Sequence, residues 1–254
     1  MKASLCCSMN IGPRPNQQDA IYAAGRVFQA ENIVMRDVFS GPLLVLGVCD
    51  GLGGHAAGET ASRFVCEKLE GVFAADGLDQ PGIGNAFGAV QADMASGQVD
   101  PDSGTTMCAL ACDGSRVVVV NAGDSRAYRF GPDGLVRLSH DHSFVQRLVD
   151  DKLITDSEAF AHPFRNLVDF GLGPTFADRW DINQPIYFYE EKAEPGAVYM
   201  LCSDGVSDML PDRRLFEELS DDPLKNAEKL FNLLKALGMK DNASMILARI
   251  ESVP

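Results

Sequence analysis

Leu43-Leu44-Val45-Leu46-Gly47-Val48-Cys49-Asp50-Gly51 is an apolar run that stops abruptly on an acid and a glycine. A short run rich in branched side chains reads as a buried strand, and its end places a carboxylate at the strand's tip. The same grammar returns where Ala197–Cys202 runs into Ser203-Asp204-Gly205, and in reverse where Asp241-Asn242 stands just before Ser244–Ile250. Carboxylates at the ends of buried strands can converge on one edge of a sheet, where they repel unless hard cations lie between them. Oxygen ligands of this kind favour Mg²⁺ or Mn²⁺ over zinc. Taken singly, each Asp-Gly is a turn signal before it is a ligand.

Outward from these runs, Met107–Ala111, Arg116–Asn121 and Arg126–Phe130 read as further strands. Asp113-Gly114 and Pro132-Asp133-Gly134 lie between strands as turn signals, so much of the pairing is expected to be antiparallel. Helices are expected in the intervals. Ala61, Phe64, Val65, Leu69 and Val72 form one apolar stripe, and Leu224, Ala227, Leu230, Phe231, Leu234 and Leu237 another. The second is punctuated by Asp222 as a cap, Pro223 in the first turn and Gly238 after the end. Between them, Phe144, Val145, Leu148 and Val149 precede Thr155 and Glu158, a capping-box pair. This middle segment is short of strands and is expected to form a lobe on the main body.

The chain has 254 residues, 46% of them apolar, with no repeat, low-complexity run or Pro/Ser-rich linker. One domain spanning 1–254 is expected. The formal charge of −14 argues against a nucleic-acid surface, which must neutralise phosphates with Lys and Arg. Cys6, Cys7, Cys49, Cys66, Cys108, Cys112 and Cys202 sit mostly in apolar runs without a Cys-x-x-Cys pair, and read as small buried hydrophobes of a reducing cytosol. No run approaches the ~18 apolar residues of a membrane span, and the first residues lack the pattern of a signal peptide. The expectation is a soluble cytoplasmic protein without nucleic-acid or membrane partners.

A longer series of motifs follows the same order along the chain. It comprises Arg14-Pro15-Asn16-Gln17-Gln18-Asp19, Asp50-Gly51-Leu52-Gly53-Gly54-His55 with Gly58-Glu59, and Ser103-Gly104-Thr105-Thr106. Gly123-Asp124-Ser125-Arg126-Ala127-Tyr128, His140-Asp141-His142-Ser143, His162-Pro163-Phe164-Arg165-Asn166, Ser203-Asp204-Gly205 and Asp241-Asn242-Ala243-Ser244 complete it. In residues and order the series resembles the type 2C, metal-dependent Ser/Thr protein phosphatases, in their short bacterial form. The resemblance implies an α+β fold of two packed antiparallel β-sheets flanked by helices, an α-β-β-α sandwich with a metal cleft at one edge. It also implies that about 141–178 form a flap-like lobe.

By the same resemblance, Asp50 bridges two Mn²⁺ or Mg²⁺ ions, Asp204 and Asp241 bind one, and the Gly51 carbonyl binds the other. Asp19 would act through coordinated water, and Arg14 would hold the substrate phosphate with its planar fork of donors. Asp124 corresponds to a ligand of a weaker third ion, and as readily caps a turn or pairs with Arg126. The implied reaction is hydrolysis of phosphoserine and phosphothreonine in proteins by a water between two cations, with no protein nucleophile. Phosphoproteins opposing a Ser/Thr kinase are the implied partners, and a monomer the implied state. His140, His142, His162 and Arg165 are expected to pack and cap rather than react.

Three departures stand out. Gln17 occupies a position where Asn is usual, Asp169-Phe170-Gly171 replaces a common Thr-Arg-Ala, and Leu52 follows Asp50-Gly51 where many eukaryotic members carry a proton-donating His. His55 is then the nearest ionisable candidate for that proton, or else a packing residue. A phosphatase that phosphorylates its own aspartate usually shows Asp-x-Asp, which Asp50-Gly51-Leu52 lacks. The other rival is a catalytically weak phosphopeptide-binding scaffold on the same fold; it usually loses a ligand, and Asp50, Asp204 and Asp241 are all present.

Overall fold

A computed structural model describes residues 1–53, 57–75, 77–180 and 186–253. Its strands are β1 (Lys2–Asn10), β2 (Asp19–Ala23), β3 (Arg26–Phe28), β4 (Asn32–Ser40), β5 (Leu44–Leu52), β6 (Gly104–Thr105) and β7 (Met107–Cys112). They continue with β8 (Arg116–Ala122), β9 (Arg126–Phe130), β10 (Leu135–Arg137), β11 (Tyr187–Lys192), β12 (Val198–Cys202) and β13 (Ala243–Ser252). All pair antiparallel, in one sheet ordered β10-β9-β12-β13-β1-β4 and another ordered β11-β8-β7-β5-β2-β3, with β6 beside β5. The helices are α1 (Ala57–Ala75), α2 (Gln80–Asp93), α3 (Phe144–Asp150), α4 (Asp156–Phe160), α5 (Asp204–Ser207), α6 (Asp212–Leu219) and α7 (Pro223–Ala236).

The continuous apolar runs follow from layers that cover both faces of each sheet. In β5, Leu44, Leu46 and Val48 point between the sheets, while Val45 and Cys49 point toward α1. In β12, Tyr199 and Leu201 face inward, while Val198, Met200 and Cys202 face α6 and α7. Side chains alternate with a period of two, so a strand covered twice is apolar at every position. The order helix, sheet, sheet, helix is the one expected from the resemblance.

Several boundaries differ from the sequence reading. The strand expected at Leu43–Cys49 continues through Asp50 and Gly51 to Leu52, because Asp50 pairs with Asp19 across β2 and Gly51 with Thr105 across β6. Asp50-Gly51 is therefore not a turn, whereas Asp113-Gly114 and Pro132-Asp133-Gly134 do join hairpins. The Thr155–Glu158 capping box forms as expected. Asp222 stands at the cap position of α7, but its side chain pairs with Lys225 and Arg249 instead of the helix backbone. Leu237 lies one residue past α7 and is half exposed, so it leaves the buried stripe.

The segment between β10 and β11 holds two short helices, α3 and α4, and no strand among the described residues. Ser143 caps α3 and bridges to Val168, and Phe144 N–H donates to the Leu167 carbonyl at 2.9 Å. The segment rejoins the body where Leu172 bridges to Thr105. Asp169 pairs with Arg147, Phe170 stacks on Trp180, and Gly171 lies against Thr105 and Phe176.

Candidate active site

Antiparallel pairing brings the relevant strand ends to one edge of the sandwich. Asp50 ends β5 directly opposite Asp19, which begins β2. Asp204 follows β12 at the start of α5, Asp241 precedes β13, and Asp124 lies in the turn from β8 to β9. The sheets are joined here by polar contacts. Ser203 Oγ donates to Asp19 Oδ2 at 2.8 Å and accepts from Ser244 N–H at 3.0 Å. Thr106 Oγ1 meets Ser125 Oγ at 2.8 Å and accepts from Asp50 N–H at 3.0 Å.

Two glycines permit this crowding. A Cβ on Gly51 would lie 2.1 Å from the Gly58 carbonyl oxygen, and one on Gly205 would lie 1.8 Å from the Asn242 carbonyl oxygen. Any larger residue would push the backbone beside Asp50 or Asp204 out of place. Asn242 also fastens the loop that carries Arg14. Its Nδ2 donates to the carbonyls of Ile11 and Asn16, and its Oδ1 accepts from Gln18 N–H.

The electrostatics are those of acids gathered without counter-charge. Burial pushes the Asp19 carboxyl up to about 7, the Ser244 and Ser203 hydrogen bonds oppose this, and Asp204 and Asp241 add to it. Burial likewise raises Asp204 to about 6, with Asp208 and Asp241 adding. Asp50 is raised by burial and then by Asp19 and Asp204, and Asp124 by burial and then by Asp204 and Asp141. Asp19 Oδ1 and Asp204 Oδ1 are buried without a hydrogen-bond partner among the described residues. A buried oxygen with no donor is costly, and a hard cation would satisfy it.

Arg14 Nη2 lies 2.5 Å from Asp241 Oδ2, and Asp50 shares a hydrogen bond with Asp204. With carboxyl groups turned to these partners, no three His, Cys, Asp or Glu side chains among the described residues form a preassembled ligand set. The donor chemistry nevertheless fits Mn²⁺ or Mg²⁺: oxygen donors, carboxylate excess and orphaned lone pairs.

The other candidates take structural partners. Arg126 binds Asp141 through Nε at 2.8 Å and Nη2 at 2.6 Å, so its ion pair is with Asp141 and not with Asp124, on which it acts only as a nearby positive charge. Arg165 Nε binds Asp208 at 2.9 Å. His140 pairs with Asp150, His142 Nδ1 accepts from Gly123 N–H, and His162 packs between Phe144 and Phe164. His55 lies outside the described residues. Gln17 accepts from Asp19 N–H through Oε1 and donates to the Ala30 carbonyl, fixing the backbone of Asp19. The roles of Ser203 and Gln17 were not read from sequence; Ser203's place between a strand end and Asp204 was the available signal.

The match to the protein phosphatase 2C family model spans residues 30–238. The chain belongs to the protein phosphatase 2C family. It is 31% identical over 249 residues to the serine/threonine protein phosphatase PstP of Mycobacterium tuberculosis, covering 93% of this chain and 43% of that relative. It thus spans less than half of that protein's length. The crystal structure of the Mycobacterium tuberculosis phosphatase PstP/Ppp superimposes with a TM-score of 0.79 at 30% identity, over 99% of this chain and 100% of the other. A structure of the PstP catalytic domain in complex with two manganese ions matches with a TM-score of 0.73 at 27% identity, over 99% and 100% of the two chains. Among the described residues, no helix of this protein phosphatase 2C member is long and apolar enough to cross a membrane.

Proposed function

We propose that the chain is a single catalytic domain that hydrolyses phosphoserine and phosphothreonine in proteins. The observation that carries this reading is the gathering of Asp19, Asp50, Asp124 and Asp204 at one edge, with raised pKa values and orphaned oxygens. Asp50 would hold two divalent cations, with Asp204 and Asp241 on one and the Gly51 carbonyl on the other; Asp124 would serve a third. Bound there, Mn²⁺ or Mg²⁺ supplies positive charge for the phosphoryl oxygens and acidity for the attacking water.

The protein's own groups position the reactants. Arg14, half exposed beside Asp241, offers the phosphate two parallel donors. Asp19 is clamped by Ser203 and Gln17, and so holds its carboxyl at a fixed place at the cation site. His55 is assigned the proton that a serine or threonine alkoxide needs to leave. Because no protein nucleophile attacks phosphorus and the charge is carried by the phosphoryl oxygens, positioning and electrostatics account for the rate. The substrates are cytoplasmic phosphoproteins set by an opposing Ser/Thr kinase, and the enzyme acts as a monomer.

The test is phosphate release from a phosphothreonine peptide. Turnover should appear with added Mn²⁺ or Mg²⁺ and vanish in excess chelator. Undiminished turnover in chelator would reject the reading, and tight peptide binding without turnover under any metal would favour the scaffold alternative.

A further inference from the structure

Two cavities open on either side of Asp204. The larger, about 660 Å³, runs from Asp124 and Asp204 beneath α3 and α4, between Val145 of the lobe and Leu135 and Pro211 of the body. The smaller, about 320 Å³, is walled by Met209 and Leu237 and reaches Asp241. Phe160, Arg165, Asp204 and Asp208 border both and form the ridge between them. Both volumes are adequate for side chains of a bound peptide.

Most charges in these walls already have partners. Arg126 pairs with Asp141, Arg137 with Asp212, Arg165 with Asp208, His140 with Asp150, and Asp241 with Arg14. Apart from the carboxylates proposed for cations, the exceptions among the described residues are Asp156 in the larger cavity and Lys240 in the smaller. Both are exposed, and they carry opposite signs on opposite sides of the ridge. A paired charge must give up its partner to bind a ligand; an unpaired one need not.

We infer that a phosphorylated peptide straddles this ridge, with a basic side chain in the larger cavity directed to Asp156 and an acidic one in the smaller directed to Lys240. The inference rests on the phosphatase reading and adds the polarity of the recognised sequence. With the phosphate at the carboxylate edge, residues one or two positions to either side reach the cavities, since extended chain advances about 3.3–3.6 Å per residue. Val145, Leu135 and Pro211 would cover the aliphatic stem of Arg or Lys while its charge reaches Asp156.

The experiment compares three phosphothreonine peptides with Mn²⁺ present: one with Arg before and Glu after the phosphoresidue, one with that order reversed, and one flanked by alanines. One order should exceed the other in kcat/KM by roughly threefold to fivefold, the scale of exposed ion pairs. The double variant D156K/K240E should prefer the opposite order, and each single variant should weaken the preference. The ratio of two peptides on one sample cancels any loss of folded enzyme. Equal rates for both orders on the unmodified enzyme, or an unchanged preference in the double variant, would overturn the inference and leave the reaction standing. Hydrolysis of none of the three would reject the reaction itself.

Discussion

Two groups of buried or half-buried aspartates lie side by side in this protein, and they differ in what answers their charge. Asp141, Asp208 and Asp212 each meet an arginine, namely Arg126, Arg165 and Arg137. Asp19, Asp50, Asp124 and Asp204 form no ion pair with Lys or Arg among the described residues, and each has a raised pKa. The first group is complete within the fold, so its charges support structure. The second is not balanced by any base of the fold, so its charge is left for protons or for the cations proposed above to neutralise. Residue type alone therefore does not separate a structural acid from a candidate ligand; the local charge balance does.

Substitution in each group should break different properties. Asp50→Asn should remove nearly all phosphopeptide turnover, exceeding the ~10–100-fold cost of losing an outer partner of a metal ligand. Its melting temperature in chelator should not fall, because a buried acid whose charged form burial disfavours is replaced by a neutral amide of the same shape. Lost activity accompanied by a lower metal-free melting temperature would show that Asp50 belongs with the structural acids. Asp141→Ala should do the reverse. It leaves Arg126, with 17% of its side-chain surface exposed, without its main partner, a change that costs about 3–5 kcal/mol. Thermal melting should drop by roughly 10 °C, and a loss within 1 °C would deny that the pair supports the fold.

A milder perturbation titrates the second group directly. In chelator, Asp19 and Asp204 bind protons up to about pH 7 and about pH 6 in the folded chain, and only near 3.8 when unfolded. The folded state thus holds more protons between these limits, so its stability is present below about pH 4 and declines as pH rises toward 7. Saturating Mn²⁺ should abolish most of that decline. Melting curves across this range, with and without Mn²⁺, would contradict the charge imbalance if the two slopes were equal.

The contrast between these groups was only half visible in the sequence. Asp50, Asp204 and Asp241 stood out because each adjoins an apolar run long enough to be a buried strand. Their convergence depends on antiparallel pairing between strands distant in sequence, which the motif order implied through family resemblance. What could not be read was which acid meets which base: Arg126 lies two residues from Asp124 yet pairs with Asp141. Tertiary geometry decides such choices. β1 is hard to read from sequence because Ser4 and Ser8 interrupt its apolar residues, although Ala3, Leu5, Cys7 and Met9 all face the inner core. α2 was hidden by Gly82, Gly84 and Gly88, which lower helix propensity, while its cap at Asp79 and buried Ile83 and Phe87 hold it.

The short ion pair between Arg14 and Asp241 implies thermodynamic coupling between the two ligands proposed for this edge. A cation at Asp241 would compete with the guanidinium for the same carboxylate and release Arg14 toward solvent, where phosphate can reach it. Cation binding would then raise phosphate affinity, and by reciprocity phosphate would raise cation affinity by the same factor. On the proposed roles, an enzyme built this way would be least receptive to phosphate with its cation site empty, and substrate capture would become conditional on the metal that the proposed chemistry requires.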